Sequence, residues 1–586
     1  MLRKLLIVVA VAGFSALPAG ASTSTRSAAA DIVAQSVLMP GVSYQRQVEF
    51  TPHGPVVLDV VTAPRPDGSL YTLEPVLSND AIVGTETLTD MENDVSASST
   101  VVGVNGDFFA VNPGKPTGML MRSGALDSAP APERSSLGIA PTGLITVGRV
   151  AFDGTWRGTD QRRQLDLNAA PVAGHTTLYT SAWGPATPAE SNAVVEDVIG
   201  SFPPAQPNRV LTGVVSQVVP QGGVPIPAGG AVLVSRGAQA PHLTAEAPAG
   251  TVVEVRLTLT PDWSAMASAI GGGPVLVAGG KPVFRADENF GDPVLNTRGA
   301  RSAVGQLSDG RILLVTAEGG GSAYSAGMTN YELAVALTRL GAVTAMGLGS
   351  GSTASMAFDG SLLTRPTSAT EPPISDALVL SYNGVYAALP SAAVVSPNGD
   401  GVDDTQTFTY KLVRASTVTA TLLGPDNVTR ILVQDGEQPG VHTIQWNAET
   451  AAGTPEVEGN WKFTVATVDD QGHATSADRE FDLNDTLGSL QVTPPTARLH
   501  ANTTALTTTF QLAHPASVIA TIETRSGIVI ATLLDAKLKP GPQQVVWDGK
   551  TGTGSLAFTG QYQVRVVATN SIGSVSLIDP FIARRS

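Results

Sequence analysis

Three strand-like segments of this sequence end in residues able to do chemistry. Arg311–Ala317 (RILLVTA) reads as a buried strand and runs into Glu318-Gly319-Gly320-Gly321. Val343–Leu348 reads as a second and leads to Gly349-Ser350-Gly351-Ser352-Thr353, while Ser99–Val104 leads to Asn105-Gly106-Asp107. The Gly/Ser segment offers unhindered backbone N–H groups and hydroxyls, the makings of a nest for an anion such as phosphate. A flexible turn has the same composition. Arg301 carries the planar fork that grips an oxyanion through two N–H bonds, although a surface arginine reads the same way. The segment carries no Gly-Lys-Ser/Thr, so it is not a P-loop, and it is not a dinucleotide fingerprint. His53, His175 and His242 stand outside every motif, which argues against a histidine-centred mechanism.

These residues need elements to position them. Thr329 and Glu332 have the spacing of a capping box, and the helix they open runs to about Leu340, where Gly341 stops it. Strand, loop, helix and strand then predict a parallel pair with a right-handed crossover. Adjacent parallel strands would put Glu318 and the Gly349–Thr353 segment on one C-terminal edge, where open α/β sheets bind ligands. The expected fold of residues 37–390 is therefore α+β or mixed α/β.

Farther along, Ser396, Asn398, Asp400 and Asp404 stand at positions 1, 3, 5 and 9 of a loop with Gly401 at position 6. That is the spacing of an oxygen-lined Ca²⁺ turn, with Asn398, Asp400 and Asp404 as side-chain ligands and Thr407 where an EF-hand has its bidentate carboxylate. A linker turn uses the same residue types. Metal binding here implies a weak structural Ca²⁺ at a domain junction, and no cofactor is required for chemistry.

The texture changes near Ser391. Leu412–Thr421 recurs as Leu512–Thr521, and Pro439-Gly440, Trp446, Gly459 and Trp461 recur as Pro540-Gly541, Trp547, Gly560 and Tyr562. Two copies with period-two alternation predict two all-β sandwiches, over 391–485 and 486–586. At the other end, Arg3 and Lys4 precede an apolar run from Leu5 to Leu17, followed by Ala19-Gly20-Ala21. This predicts a signal peptide over 1–21, hence an exported protein, with an N-terminal anchor as the alternative. Residues 22–36 read as a flexible lead-in. The chain has 586 residues and a net charge of −15, which disfavours nucleic acid and anionic membrane as partners. It has no cysteine, so thiolate nucleophiles, thiolate metal sites and disulfides are excluded.

Two resemblances then become specific. The sandwiches resemble the Ig-like domain of flagellar hook-capping proteins, on Ser396-Pro397-Asn398-Gly399-Asp400-Gly401 and the Trp and Gly-aromatic positions. That family supplies spacers or adhesive supports. Val104-Asn105-Gly106-Asp107-Phe108-Phe109 with Pro116-Thr117-Gly118 resembles the opening of the phosphodiester glycosidases, relatives of N-acetylglucosamine-1-phosphodiester α-N-acetylglucosaminidase. Leu178-Tyr179-Thr180, Trp183-Gly184, Gly272-Gly273-Pro274, Gly279-Gly280-Lys281, Arg301–Gly305, Gly327-Met328-Thr329, Glu332-Leu333-Ala334 and Ala345–Met356 follow in order.

The resemblance implies hydrolysis of a sugar-1-phosphodiester, by a secreted or cell-envelope enzyme acting on extracellular glycopolymers. It implies Asp107 and Glu318 as catalytic carboxylates, Arg301 on phosphate, and Asn105, Ser350, Ser352 and Thr353 orienting substrate with Gly349 and Gly351. The family signature there reads leucine-aspartate-Gly-Gly-Gly-Ser, and Gly349 stands where the aspartate would be. An essential aspartate would make this member slow, altered or inactive. The alternative is thus an inactive envelope carbohydrate-binding protein on Ig-like spacers.

Overall fold

The computed structural model describes residues 30–172, 174–189, 194–284, 287–321, 323–500 and 505–585. The expected signal peptide lies outside the described residues. The lead-in lies partly outside them too, and its last residues join a strand, Asp31–Met39.

Strand accounts for 53 % and helix for 8 %, which overturns the expected α+β or mixed α/β class for the N-terminal region. Its scaffold is a pair of antiparallel sheets packed face to face. The first has the order Asp31–Met39, Val42–Thr51, Gly54–Ala63, Ile312–Ala317, Arg301–Leu307, Ala342–Ser350, Val275–Ala278 and Lys281–Pro282. The second contains Thr100–Asn105 at its centre, between Met356–Phe358 and Asp376–Tyr382. Leu314, Val304, Met346 and Leu348 of the first meet Val102, Val104, Leu378 and Leu380 of the second.

One helix covers the outer face of each sheet. The helix Asn330–Arg339 forms as its sequence predicts, with Thr329 accepting from the Glu332 amide and the Glu332 carboxylate accepting from the Thr329 amide. Leu333, Ala334 and Leu337 bury against Leu313, Val315 and Ala345. The strands it joins are not neighbours, however. Arg301–Leu307 lies between them, antiparallel to both. The crossover therefore spans an intervening strand, because the segment just before Ile312 folds back as a hairpin and occupies the place a parallel partner would take. Glu318 and Gly349 still leave the sheet at one edge.

Residues 151–260 form a closed seven-stranded barrel around Trp156, Leu178, Leu233 and Leu257. Two sandwiches follow, each a three-stranded sheet on a five-stranded one with matching strand order. Trp446, Trp461 and Phe463 fill the first core, and Trp547, Tyr562 and Phe581 the second. Among the described residues, no helix is long and apolar enough to cross a membrane.

Candidate functional site

A row of polar side chains crosses the first sheet, on the face turned toward the second. Arg46 pairs in register with Asp59, Asp59 with Thr316, and Thr316 with Ser302, so all four project from one side. Ser302 Oγ donates to Asn105 Oδ1 at 2.6 Å, and Asn105 Nδ2 donates to the Gly349 carbonyl at 2.9 Å. The polar end of the central strand of the second sheet is thereby joined to the polar edge of the first.

At the other end of this row two carboxyl groups meet. Asp59 Oδ1 accepts from Tyr44 Oη at 2.5 Å and from Arg46 Nε at 2.9 Å. Glu318 Oε1 accepts from Arg46 Nη2 at 2.9 Å and from the Arg365 amide at 3.0 Å. The remaining oxygens, Asp59 Oδ2 and Glu318 Oε2, are buried with no donor, yet the two carboxyls are close enough to hydrogen-bond each other. Burial and the neighbouring Glu318 push the Asp59 carboxyl up to about 7. The Arg365 guanidinium lies 4.7 Å from the Tyr324 ring centre, and burial together with the nearby Glu318 carboxylate raises the Tyr324 hydroxyl to about 12. Two arginines, two tyrosines and a close pair of buried carboxyls make a centre with the residue types for acid–base chemistry.

Of the two expected carboxylates, Glu318 belongs to the Asp59 pair, whereas Asp107 is held by backbone amides. Asp107 Oδ1 accepts from the Phe108 amide at 2.7 Å and Oδ2 from the Gly118 amide at 2.6 Å. A Cβ at Gly271 or Gly118 would come within 2.5 or 2.7 Å of Oδ2, so both positions require glycine for this close approach. Asp376 Oδ2 accepts from the Asp107 amide at 3.0 Å. Burial, with the nearby Asp376 charge, raises the Asp107 pKa, and burial raises that of Asp376.

Arg301 alternates with Ser302 and so faces the helix side of the sheet. Its buried guanidinium donates to the carbonyls of Ala300, Pro293 and Thr297. The Gly349 and Gly351 amides donate to the Gly106 and Ala300 carbonyls at 2.8 and 3.0 Å, so these two N–H groups of the expected nest are engaged within the protein. Ser350 and Thr353 are half-buried and Ser352 is exposed beside them. Asp359 pairs with Lys411 of the first sandwich at 2.9 Å, away from this site.

In the expected Ca²⁺ turn, Asp404 accepts from the Gly399 and Gly401 amides, both at 2.7 Å. Asp400 accepts from the Val402 amide at 2.8 Å and Asn398 from the Asp400 amide at 3.2 Å. These side chains brace the turn through the backbone, while each carboxylate oxygen keeps a lone pair.

Tyr44, Arg46, Asp59, Tyr324, Arg365 and Asp376 went unnoticed in the sequence. Asp59 did carry a signal, as a lone carboxylate inside the apolar run Val56–Val61. Its partner stands hundreds of residues away, and nothing in spacing links them.

A family model described as phosphodiester glycosidase matches residues 194–381, which include Arg301, Glu318, Gly349 and Arg365. A FlgD Ig-like domain model matches residues 495–571. Among solved structures, a hypothetical protein from Synechocystis is 28 % identical over 58 % of this chain, with a TM-score of 0.49. The chain spans 62 % of that protein's length. The zebrafish N-acetylglucosamine-1-phosphodiester α-N-acetylglucosaminidase catalytic domain, auto-inhibited by its pro-peptide, is 14 % identical over 59 % of this chain and 84 % of its own, with a TM-score of 0.32. No curated protein sequence matches. The matched models lead to one statement: residues 194–381 match the phosphodiester glycosidase family and residues 495–571 the FlgD Ig-like domain.

Proposed function

We propose that this protein is a secreted or cell-envelope hydrolase that cleaves a sugar-1-phosphodiester in an extracellular glycopolymer. The observation that carries the reading is the Asp59–Glu318 pair, with one donorless buried oxygen on each side. Burial and the neighbouring Glu318 disfavour the charged form of Asp59, which favours a protonated carboxyl at that position. The ionised member activates a water for attack on the anomeric carbon, and the C1–O bond to phosphate breaks as the new C–O bond forms. Phosphate departs readily, so little general-acid help is required, and charge stabilisation dominates. Arg46 and Arg365 are the cations placed to meet the phosphodiester. Asp107 and Asp376 act as positioning residues, holding the Asn105–Phe108 turn against the glycines beneath it. The Ig-like modules serve as spacers, consistent with cell-wall association.

The second reading, an inactive carbohydrate-binding protein, draws on Gly349. A Cβ there would lie 2.9 Å from Asn105 Nδ2 and 3.0 and 3.1 Å from the Asp107 and Gly106 carbonyl oxygens, so this fold has closed over the place of the family aspartate. Release of free sugar from a sugar-1-phosphodiester distinguishes the two. The hydrolase reading expects turnover by the native chain and a loss of at least about tenfold in Glu318→Gln. Turnover unchanged in that variant refutes the assigned centre, and binding without turnover supports the second reading.

A further inference from the structure

At the junction of the two sandwiches, side chains from three segments converge. Glu458 comes from the first sandwich, Asp485 from the connection and His514 from the second, and one ligand atom of each lies within 4.8 Å of the others. His514 Nε2 is 3.0 Å from Asp485 Oδ1 and 3.9 Å from Glu458 Oε2. Despite the shorter distance, Asp485 Oδ1 is buried without a hydrogen-bond partner. The ring nitrogen is near this oxygen but not aligned with it, as when both point at a common third body.

We infer that Glu458, Asp485 and His514 form a binding site for a first-row divalent cation of the Zn²⁺ type, which clamps the two sandwiches at a set angle. A tetrahedral ion with ligands at about 2.1 Å separates them by about 3.4 Å, and the two separations above bracket that value. The imidazole selects this class over Ca²⁺, which takes six to eight oxygens. The surroundings hold the ligands in place. Thr486 Oγ1 donates to Glu458 Oε2 at 2.7 Å and Asn570 Nδ2 to Glu458 Oε1 at 2.8 Å, the outer bonds that orient a metal-binding carboxylate. Asn570 belongs to the second sandwich, so the carboxylate of one module is already gripped by the other. The His514 side chain is 43 % exposed, leaving a path for the ion and a place for a water as fourth ligand.

The internal repeat supplies a control within the molecule. The residue at the equivalent place in the first sandwich is Arg414, which pairs with Asp470 at 2.6 Å and cannot ligate a cation. The site is therefore a property of the second junction alone, independent of the chemistry proposed for the N-terminal domain.

The test is calorimetric titration of Zn²⁺ into the full chain after chelator treatment, with bound metal counted by elemental analysis. The native chain is expected to hold one equivalent more than His514→Ala, and Glu458→Gln is expected to bind that equivalent at least tenfold more weakly. Ca²⁺ should not compete for it. Circular dichroism of each variant must match the native chain, and Zn²⁺ should raise the melting temperature of the native chain alone. Equal stoichiometry and affinity in the native chain and His514→Ala overturns the inference. Displacement of Zn²⁺ by equimolar Ca²⁺ overturns the assigned metal class.

Discussion

Replacing Asp59 by asparagine tests the protonated carboxyl directly. The amide keeps the shape: its oxygen accepts from Tyr44 and Arg46, and its N–H₂ donates to Glu318 where the proton was. What disappears is a titration. In the folded chain the Asp59 carboxyl titrates at about 7, against 3.8 for an ordinary aspartate, because burial and Glu318 disfavour its charge. Between those values the native state holds a proton that the unfolded chain has released, so stability falls as pH rises. The slope approaches about −1.4 kcal/mol per pH unit within that window. This stabilisation is complete below about pH 4 and gone above about pH 7.

Asp59→Asn removes that slope. Other buried acids titrate in both chains, so the difference between native and variant isolates position 59. Urea denaturation of the N-terminal domain at pH 5, 6, 7 and 8 is the assay, followed by a probe of that domain because a multidomain chain does not unfold in one step. The variant should gain on the native chain at each step up to about pH 7 and hold its lead beyond. Parallel stability curves for the two chains would refute the protonated Asp59.

Three further outcomes are expected. Gly349→Asp should destabilise the domain by about 1–3 kcal/mol rather than restore activity, since its Cβ meets two backbone oxygens that cannot move aside; melting temperature and turnover report both effects. Asp404→Ala should cost the first sandwich about 1–2 kcal/mol through two lost N–H acceptors. If the same turn binds Ca²⁺, as its spacing suggests, chelator lowers the melting temperature of the first sandwich and not of the second. Equal responses reject the Ca²⁺ proposal.

Local chemistry was legible without coordinates. The capping box at Thr329 and Glu332, the stop at Gly341 and the recurrence of Trp446 as Trp547 are signals carried by a few neighbouring residues or by period, and they reappear in the structure. The residues Glu318, Asn105 and Gly349 could be picked out because each follows an apolar strand with polar or flexible chemistry. Partnership was another matter. Whether the strand beside Ile312–Ala317 is Ala342–Ser350 or Arg301–Leu307 depends on which pairing buries the apolar faces of the whole sheet, and both choices satisfy the same alternation. That choice turned an expected parallel pair into an antiparallel row. The row in turn decided that Glu318 meets Asp59 and Arg46, that Asp107 meets Gly118 and Gly271, and that Arg301 faces away from them. Period and capping are local free energies, written in consecutive residues. Which carboxyl stands beside which is set by register across strands hundreds of residues apart, and only the folded chain contains it.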